Sequence, residues 1–141
     1  MSVSFRIFPD RGLVVVRYAG VLRLDDTKKA FAEYARHPDC HPGQKQLVDL
    51  SGVTGYEADF VKMMEVQAQK ADVFGNEGAE TLMVYVAPHK LAKDLARLIL
   101  RSWEPFDSVV ALVQDDEALA LELLGQPEHE LDELWTIAKD A

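Results

Sequence analysis

The stretch Gln46-Leu-Val-Asp-Leu-Ser-Gly-Val-Thr-Gly-Tyr56 decides the fold class of this chain. Its apolar start predicts a buried strand, its glycines predict a tight turn, and the amphipathic run from Asp59 predicts a helix. Open α/β sheets present ligands on a polar loop at the carboxyl end of a buried strand, beside the amides of a helix N-terminus. This segment is therefore the first candidate site.

Composition predicts a single globular domain over residues 1–141, with 48% hydrophobic and 28% charged residues. The lone Cys40 cannot form an internal disulfide, and no apolar run is long enough to span a bilayer. We therefore expect a cytoplasmic protein without stable membrane insertion. A formal net charge of -9 repels phosphate backbones, which argues against nucleic acid as a partner.

Strand and helix patterns alternate along the whole chain. Two alternating segments around the turn residues Pro9-Asp-Arg-Gly12 predict an N-terminal β-hairpin. The predicted strands cover residues 3–8, 13–18, 47–50, 81–86 and 108–113, and the run 81–86 suits a strand buried on both faces.

The predicted helices begin at capping residues or prolines and end near glycines or prolines. They run from the possible caps Asp25-Asp-Thr to Pro38, from Ala58 or Asp59 to Gly75, from Pro88 to Ser102, from Asp115 or Asp116 to Leu124, and onward from Pro127. This order predicts an α/β domain with a mixed, mostly parallel sheet of about five strands. Helices pack on the sheet, and one extra helix follows at the C-terminus.

Several of these segments resemble the SpoIIAA-like group of small bacterial proteins, which have a STAS/SEC14-type fold. The resemblance lies in Leu47-Val-Asp-Leu-Ser-Gly-Val-Thr, in the turn at residues 8–12, in residues 70–74 and in residues 101–103. It extends from residue 3 to about residue 124. The resemblance implies a STAS-like fold and a regulatory role like that of anti-sigma-factor antagonists.

The same resemblance implies a phosphorylated serine at the start of the helix after the third strand, where the added charge blocks a partner interface. Here Ala58 and Asp59 occupy that place, so the resemblance implies a module without the phosphoserine switch. Asp59 either mimics the phosphorylated form or simply caps the helix. Ser51 and Thr54 carry hydroxyls nearby, which suit hydrogen bonding within a turn.

A carboxylate within a buried strand needs a partner, and Asp49 has two interpretations. It accepts hydrogen bonds from amides of residues 51–54, or it faces a ligand. An enzyme would need Asp49, Tyr56 or His89 to converge in one cleft. No nucleophile or phosphate-binding motif occurs, and the cluster His37-Pro-Asp-Cys-His41 lacks standard zinc spacing, so we expect no metal and no cofactor.

Two helices add candidate binding residues. Lys90, Lys93, Arg97 and Arg101 recur on one helix face, which predicts either a solvated face relieved by Asp94 or a site for an anion or an acidic partner. The flexible apolar side chains of the preceding helix and the next strand predict either core packing or a pocket for a lipid-like ligand: Phe60, Met63, Met64, Val66, Met83 and Tyr85.

The sequence thus favours a non-enzymatic regulatory module that binds a protein partner. A carrier or sensor of a small apolar ligand is the alternative, and an enzyme is the least favoured class. The candidate binding residues are Asp49, Ser51, Tyr56, Asp59, Met63, Arg97 and Arg101. The apolar face of the last helix, around Leu131, Leu134 and Trp135, needs burial against a second copy or against its own chain.

Overall fold

The computed structural model describes residues 2–140 and contains one five-stranded mixed sheet with strand order β1-β2-β3-β4-β5. The strands are β1 (Val3–Phe8), β2 (Leu13–Leu22), β3 (Lys45–Tyr56), β4 (Thr81–Val86) and β5 (Val109–Gln114). The first pair is antiparallel and the other three pairs are parallel. The predicted α/β class and mostly parallel sheet are confirmed.

The N-terminal hairpin forms around the predicted turn. Pro9–Arg11 make a single 3-10 turn, and Gly12 closes it with φ of 59°, a left-handed conformation that glycine adopts without steric cost. The Gly12 carbonyl accepts a hydrogen bond of 2.8 Å from the Lys45 amide. This bond ties the hairpin to the start of β3, so the local turn also fixes where the parallel part of the sheet begins.

Within residues 2–140, five α-helices cover the two faces of the sheet: α1 (Leu24–Arg36), α2 (Phe60–Phe74), α3 (Lys90–Trp103), α4 (Glu117–Leu123) and α5 (Leu131–Asp140). Because strands β2 to β5 are neighbours in sequence order, crossovers of one hand place their helices on one face. Helices α1 to α3 share one apolar core with the sheet, and α4 and α5 share the other. Strand β4 is buried on both faces, as predicted.

The predicted glycine turn after the third strand is wrong. Strand β3 continues for 12 residues to Tyr56, because β2 also extends to Leu22 and pairs with it through two irregularities in register. Gly52 permits this pairing: a Cβ atom there would lie 2.9 Å from the Tyr18 carbonyl oxygen. Gly52 therefore allows the two strands to approach closely and does not form a turn.

Three predicted helix starts are also wrong. Helix α1 begins at Leu24, before the expected acidic caps, because the Glu57 carboxylate accepts the Leu24 amide at 3.0 Å. Helix α3 begins at Lys90, after His89 and not at Pro88. Helix α5 begins at Leu131, four residues after Pro127. The caps of α2 and α4 are Asp59 and Asp116, as expected.

The last helix folds back onto its own sheet. Leu131 and Leu134 are fully buried in the core that α4 shares, and Trp135 packs at its margin. The apolar face that suggested a homodimer is therefore covered by the same chain, and a homodimer would need another surface. Within the described residues, no helix is both long and apolar enough to cross a membrane.

Candidate functional site

An apolar cavity lies between the sheet and helices α1, α2 and α3. It offers about 70 Å³ of room for the centres of water-sized atoms. Every crossover helix and four of the strands contribute to its wall, mostly with aliphatic and aromatic side chains, among them Phe5, Val14, Leu22, Phe31, Val48, Met63, Val66, Phe74, Met83 and Ile99. Of the residues predicted to form an apolar pocket, Met63, Val66, Met83 and Tyr85 belong to this wall, whereas Phe60 and Met64 do not.

The tyrosine hydroxyls of the wall are already hydrogen bonded. Tyr18 pairs with the Thr27 hydroxyl at 3.1 Å, Tyr34 donates to the side-chain oxygen of Gln44 at 2.6 Å, and Tyr85 accepts the indole N–H of Trp103 at 2.9 Å. Burial raises the pKa of the Tyr18 hydroxyl to about 12 and raises the pKa values of Tyr34 and Tyr85 as well. The three phenols therefore stay neutral at physiological pH.

Two polar groups of the wall differ from the rest. Gln67 donates to the Ser102 hydroxyl at 3.0 Å, but its buried side-chain oxygen has no hydrogen-bond partner among the described atoms. Lys70 lies one turn further along α2, and desolvation lowers the pKa of its ammonium to about 8. Lysine is rare in apolar walls because a buried charge is unfavourable unless it is paired.

A separate polar cleft of about 350 Å³ lies beside the start of β1 and the middle of β2 and β3, and it includes Asp49 and Ser51. Asp49 is 2% exposed. Its carboxylate accepts the Ser51 amide at 2.9 Å and the Arg17 guanidinium at 3.2 Å. Arg17 also pairs with Asp132 at 3.0 Å and lies over the Trp135 ring at 5.3 Å from its centroid. Asp49 therefore fastens β2 and α5 to β3.

The other candidates for catalysis do not converge with Asp49. Tyr56 ends β3 and packs partly against the core that contains the apolar cavity. His89 accepts the Ala92 amide on Nδ1 at 3.2 Å, so its Nε2 carries the proton and donates to the Ser51 carbonyl at 3.0 Å. Because both ring nitrogens are engaged, His89 serves to cap α3 and attach it to β3. Asp59 is exposed and accepts the Lys62 amide at 3.0 Å as the cap of α2.

The basic residues of α3 lie outside both spaces. Asp94 pairs with Lys90 at 3.1 Å and with Arg97 at 3.4 Å, which relieves the repulsion along this face. Lys93 reaches Asp115 at 3.5 Å, and the Arg101 guanidinium lies 5.3 Å from the centroid of the Phe60 ring. This face is thus a surface of local ion pairs, with Arg97 exposed and Arg101 partly held by an aromatic ring.

The histidine and cysteine loop does not assemble a metal site. His37 Nδ1 accepts the Asp39 amide at 3.0 Å, and Cys40 is partly buried against the core. Among the side chains that the structure describes, no three from His, Cys, Asp or Glu are grouped so as to hold a metal ion.

Lys70 and Gln67 were not predicted as components of the site, although the spacing of the helix contains the signal. The buried positions of α2 are Met63, Val66, Gln67 and Phe74, and this spacing puts residue 70 on the same face. The predicted pocket contained only apolar residues of this helix, among them Met63, Met64 and Val66, and so it left out Gln67 and Lys70.

The chain matches no family model, and no curated protein is significantly similar to it.

Proposed function

We propose that this chain is a non-enzymatic binding protein of STAS-like, SpoIIAA-like fold that holds a small apolar ligand between its sheet and helices α1 to α3. The apolar cavity is the observation that carries the proposal. The N-terminal hairpin, the three crossover helices and the mixed sheet agree with the fold that the resemblance implies.

The cavity is larger than ordinary packing leaves behind. Protein interiors are close-packed, and a single water needs about 10–15 Å³ of such space together with two to four polar partners. The observed space of about 70 Å³ is several times larger. Since its hydroxyls are paired with each other or with nearby side chains, water would find few partners there. An apolar ligand would gain dispersion contacts with the wall and would give up few hydrogen bonds. A mostly apolar lining with few polar groups is typical of small-molecule sites.

The polar groups elsewhere favour binding over catalysis. Asp49 and His89 are the groups that an enzyme would use, and each already holds structural hydrogen bonds to neighbouring elements. A binding role needs no such reactive group. The cavity therefore favours the carrier or sensor over an enzyme, which remains the least supported class.

A cavity-filling substitution tests the proposal. Ala30 lies on the cavity wall, and Ala32 is exposed on the same helix. In amide NMR titrations, 1-octanol should shift signals of α1, α2 and α3 in the unchanged protein and in the control A32L. The variant A30L should lose these shifts because leucine fills the space. Shifts that persist in A30L, or that fall mainly on α4 and α5, would contradict the proposal.

A protein-binding regulatory module is the second candidate, and one surface feature favours it. Val61 is 70% exposed in the first turn of α2, next to the capping residue Asp59, at the place where the resemblance implies a partner interface. A photocrosslinking residue at position 61 should join a defined partner in cells that naturally make this chain, and one at position 29 should not. Equal labelling from both positions would argue against this interface.

A further inference from the structure

Among the described residues that line the cavity, one side chain is charged, and its position follows from the helix that carries it. Met63, Gln67, Lys70 and Phe74 follow each other at three- and four-residue steps along α2, and all four line the cavity. This spacing keeps side chains on one face of a helix. The Lys70 side chain is therefore partly buried on the same face of α2 as the apolar side chains that line the cavity.

The charge on Lys70 has no described counter-charge. No Asp or Glu is among the residues that line the cavity, and in the described part of the chain Lys70 takes part in no ion pair or hydrogen bond. Lys62, two turns earlier, pairs with Asp25 at 3.0 Å and with Glu57 at 3.4 Å. Lys70 therefore lacks the carboxylate partners that Lys62 has. This is unusual in a chain whose formal net charge is -9.

Burial does not remove this charge at neutral pH. Desolvation lowers the pKa of the Lys70 ammonium to about 8, so most molecules still carry the proton at pH 7. An unpaired ammonium in an apolar wall raises the free energy of the empty protein, and an anion placed beside it recovers much of that cost.

From this arrangement we infer that the occupant of the cavity is an amphipathic anion, whose acidic head pairs with Lys70 and whose hydrocarbon tail lies against the side chains of α1, α2 and the sheet. The inference rests on the proposed function and adds the chemical class of its ligand. A simple inorganic anion does not fit, because the remaining wall is predominantly apolar. A neutral apolar molecule would leave the ammonium unpaired.

The test compares three probes that differ in head or tail. Octanoate has both, 1-octanol has the tail without the charge, and acetate has the charge without the tail. Dissociation constants come from amide NMR titrations at pH 7. We expect octanoate to bind the unchanged protein at least about tenfold more tightly than 1-octanol, which corresponds to about 1.4 kcal/mol. Acetate should produce no saturable shifts in α2.

Two variants assign the charge preference to one residue. The substitution K70M should remove the preference for octanoate and leave 1-octanol binding within about threefold. The control K29M removes an exposed lysine of α1 and should keep the preference. The comparison of probes on the unchanged protein needs no variant, so the inference stays testable even if K70M does not fold.

The outcomes separate the two proposals. Equal binding of octanoate and 1-octanol, or a preference that survives in K70M, overturns the anionic head and leaves apolar binding intact. Acetate binding as tight as octanoate overturns the role of the tail. If neither octanoate nor 1-octanol shifts the signals of α1 to α3, the proposed function itself fails.

Discussion

Replacing Lys70 by methionine should stabilise the ligand-free protein, and the gain should depend on pH in a defined way. The folded protein holds the Lys70 proton less tightly than the unfolded chain, because desolvation lowers the pKa from 10.5 to about 8. At pH 7 this difference amounts to about 3 kcal/mol of unfavourable free energy in the folded state. Solvent that reaches the partly buried side chain reduces the measured value below this figure.

The sign of the pH dependence follows from the two pKa values. Below pH 8 the lysine is charged in both states, so the folded state bears the whole cost. Between pH 8 and 10.5 the folded state gives up the proton first, and the cost falls as the pH rises. At pH 9.5 about half of the cost at pH 7 remains, roughly 1.5 kcal/mol.

Urea unfolding followed by circular dichroism measures this effect. The free energy of unfolding of K70M should exceed that of the unchanged protein at pH 7, and the difference should shrink by about half at pH 9.5. Apolar packing of the methionine adds a constant at both pH values, and the buried tyrosines are common to both proteins, so neither changes the comparison. The exposed control K29M should show no such trend. A difference that is the same at pH 7 and pH 9.5 would refute a desolvated ammonium at position 70.

Three further substitutions, each with a control, test how the fold is held together. Gly52→Ala should lower the free energy of unfolding by about 1–3 kcal/mol in urea unfolding, because its Cβ would lie 2.9 Å from a carbonyl oxygen of β2. The control Gly55→Ala should cost less, because its nearest contact would be at 3.6 Å. Glu57→Ala should lower the stability by about 1 kcal/mol, because the first amide of α1 loses its hydrogen-bond acceptor. Glu57→Gln keeps an acceptor oxygen and should retain part of this stability. Equal losses in the two variants would contradict a capping role of Glu57. Leu134→Ala should cost about 2–5 kcal/mol in thermal unfolding, against less than about 0.5 kcal/mol for Ile137→Ala, which is 43% exposed on the same helix. Similar losses at the two positions would show that α5 is not packed on the sheet.

Local signals were enough to predict much of the fold. The hairpin turn uses Pro9 and Gly12 for the backbone angles that those residues favour, and the acidic caps Asp59 and Asp116 act within three residues of their own position. Strand β4 is recognisable because both of its faces are apolar. In each case the residues that determine the local structure lie within the segment itself, so the structure could be predicted from that segment alone.

Two of the errors arose where a distant residue decides the local structure. The two glycines after Leu50 resemble a turn, but Gly52 lets β3 approach β2, and that pairing involves residues more than thirty positions earlier. The start of α1 depends on Glu57 from the end of β3, which satisfies the Leu24 amide. Neither effect is visible in the segment itself, because the decisive partner belongs to another element.

The candidate site was predictable only in part. The Met-rich helix led to the hypothesis of an apolar pocket, and Met63 does line the cavity. Strand β3 drew attention to Asp49, whose carboxylate faces the opposite side of the sheet and holds Arg17. The size of the cavity depends on how closely side chains from seven elements pack together. The sequence of any one of these elements does not determine that packing. The inward position of Lys70, in contrast, follows from helix spacing alone.

The two tryptophans of this chain stand on opposite faces of one sheet, and this placement gives the protein an internal optical reporter. The indole of Trp103 donates to Tyr85 and lies 6.3 Å from Phe74 between ring centroids, and both of these residues line the cavity. Trp135 lies on the far face beneath the guanidinium of Arg6, at 4.2 Å from its ring centroid. We expect a molecule that enters the cavity to alter the emission of the first indole and not the second. Occupancy could thus be followed by fluorescence in unlabelled protein, with the second tryptophan as a built-in reference.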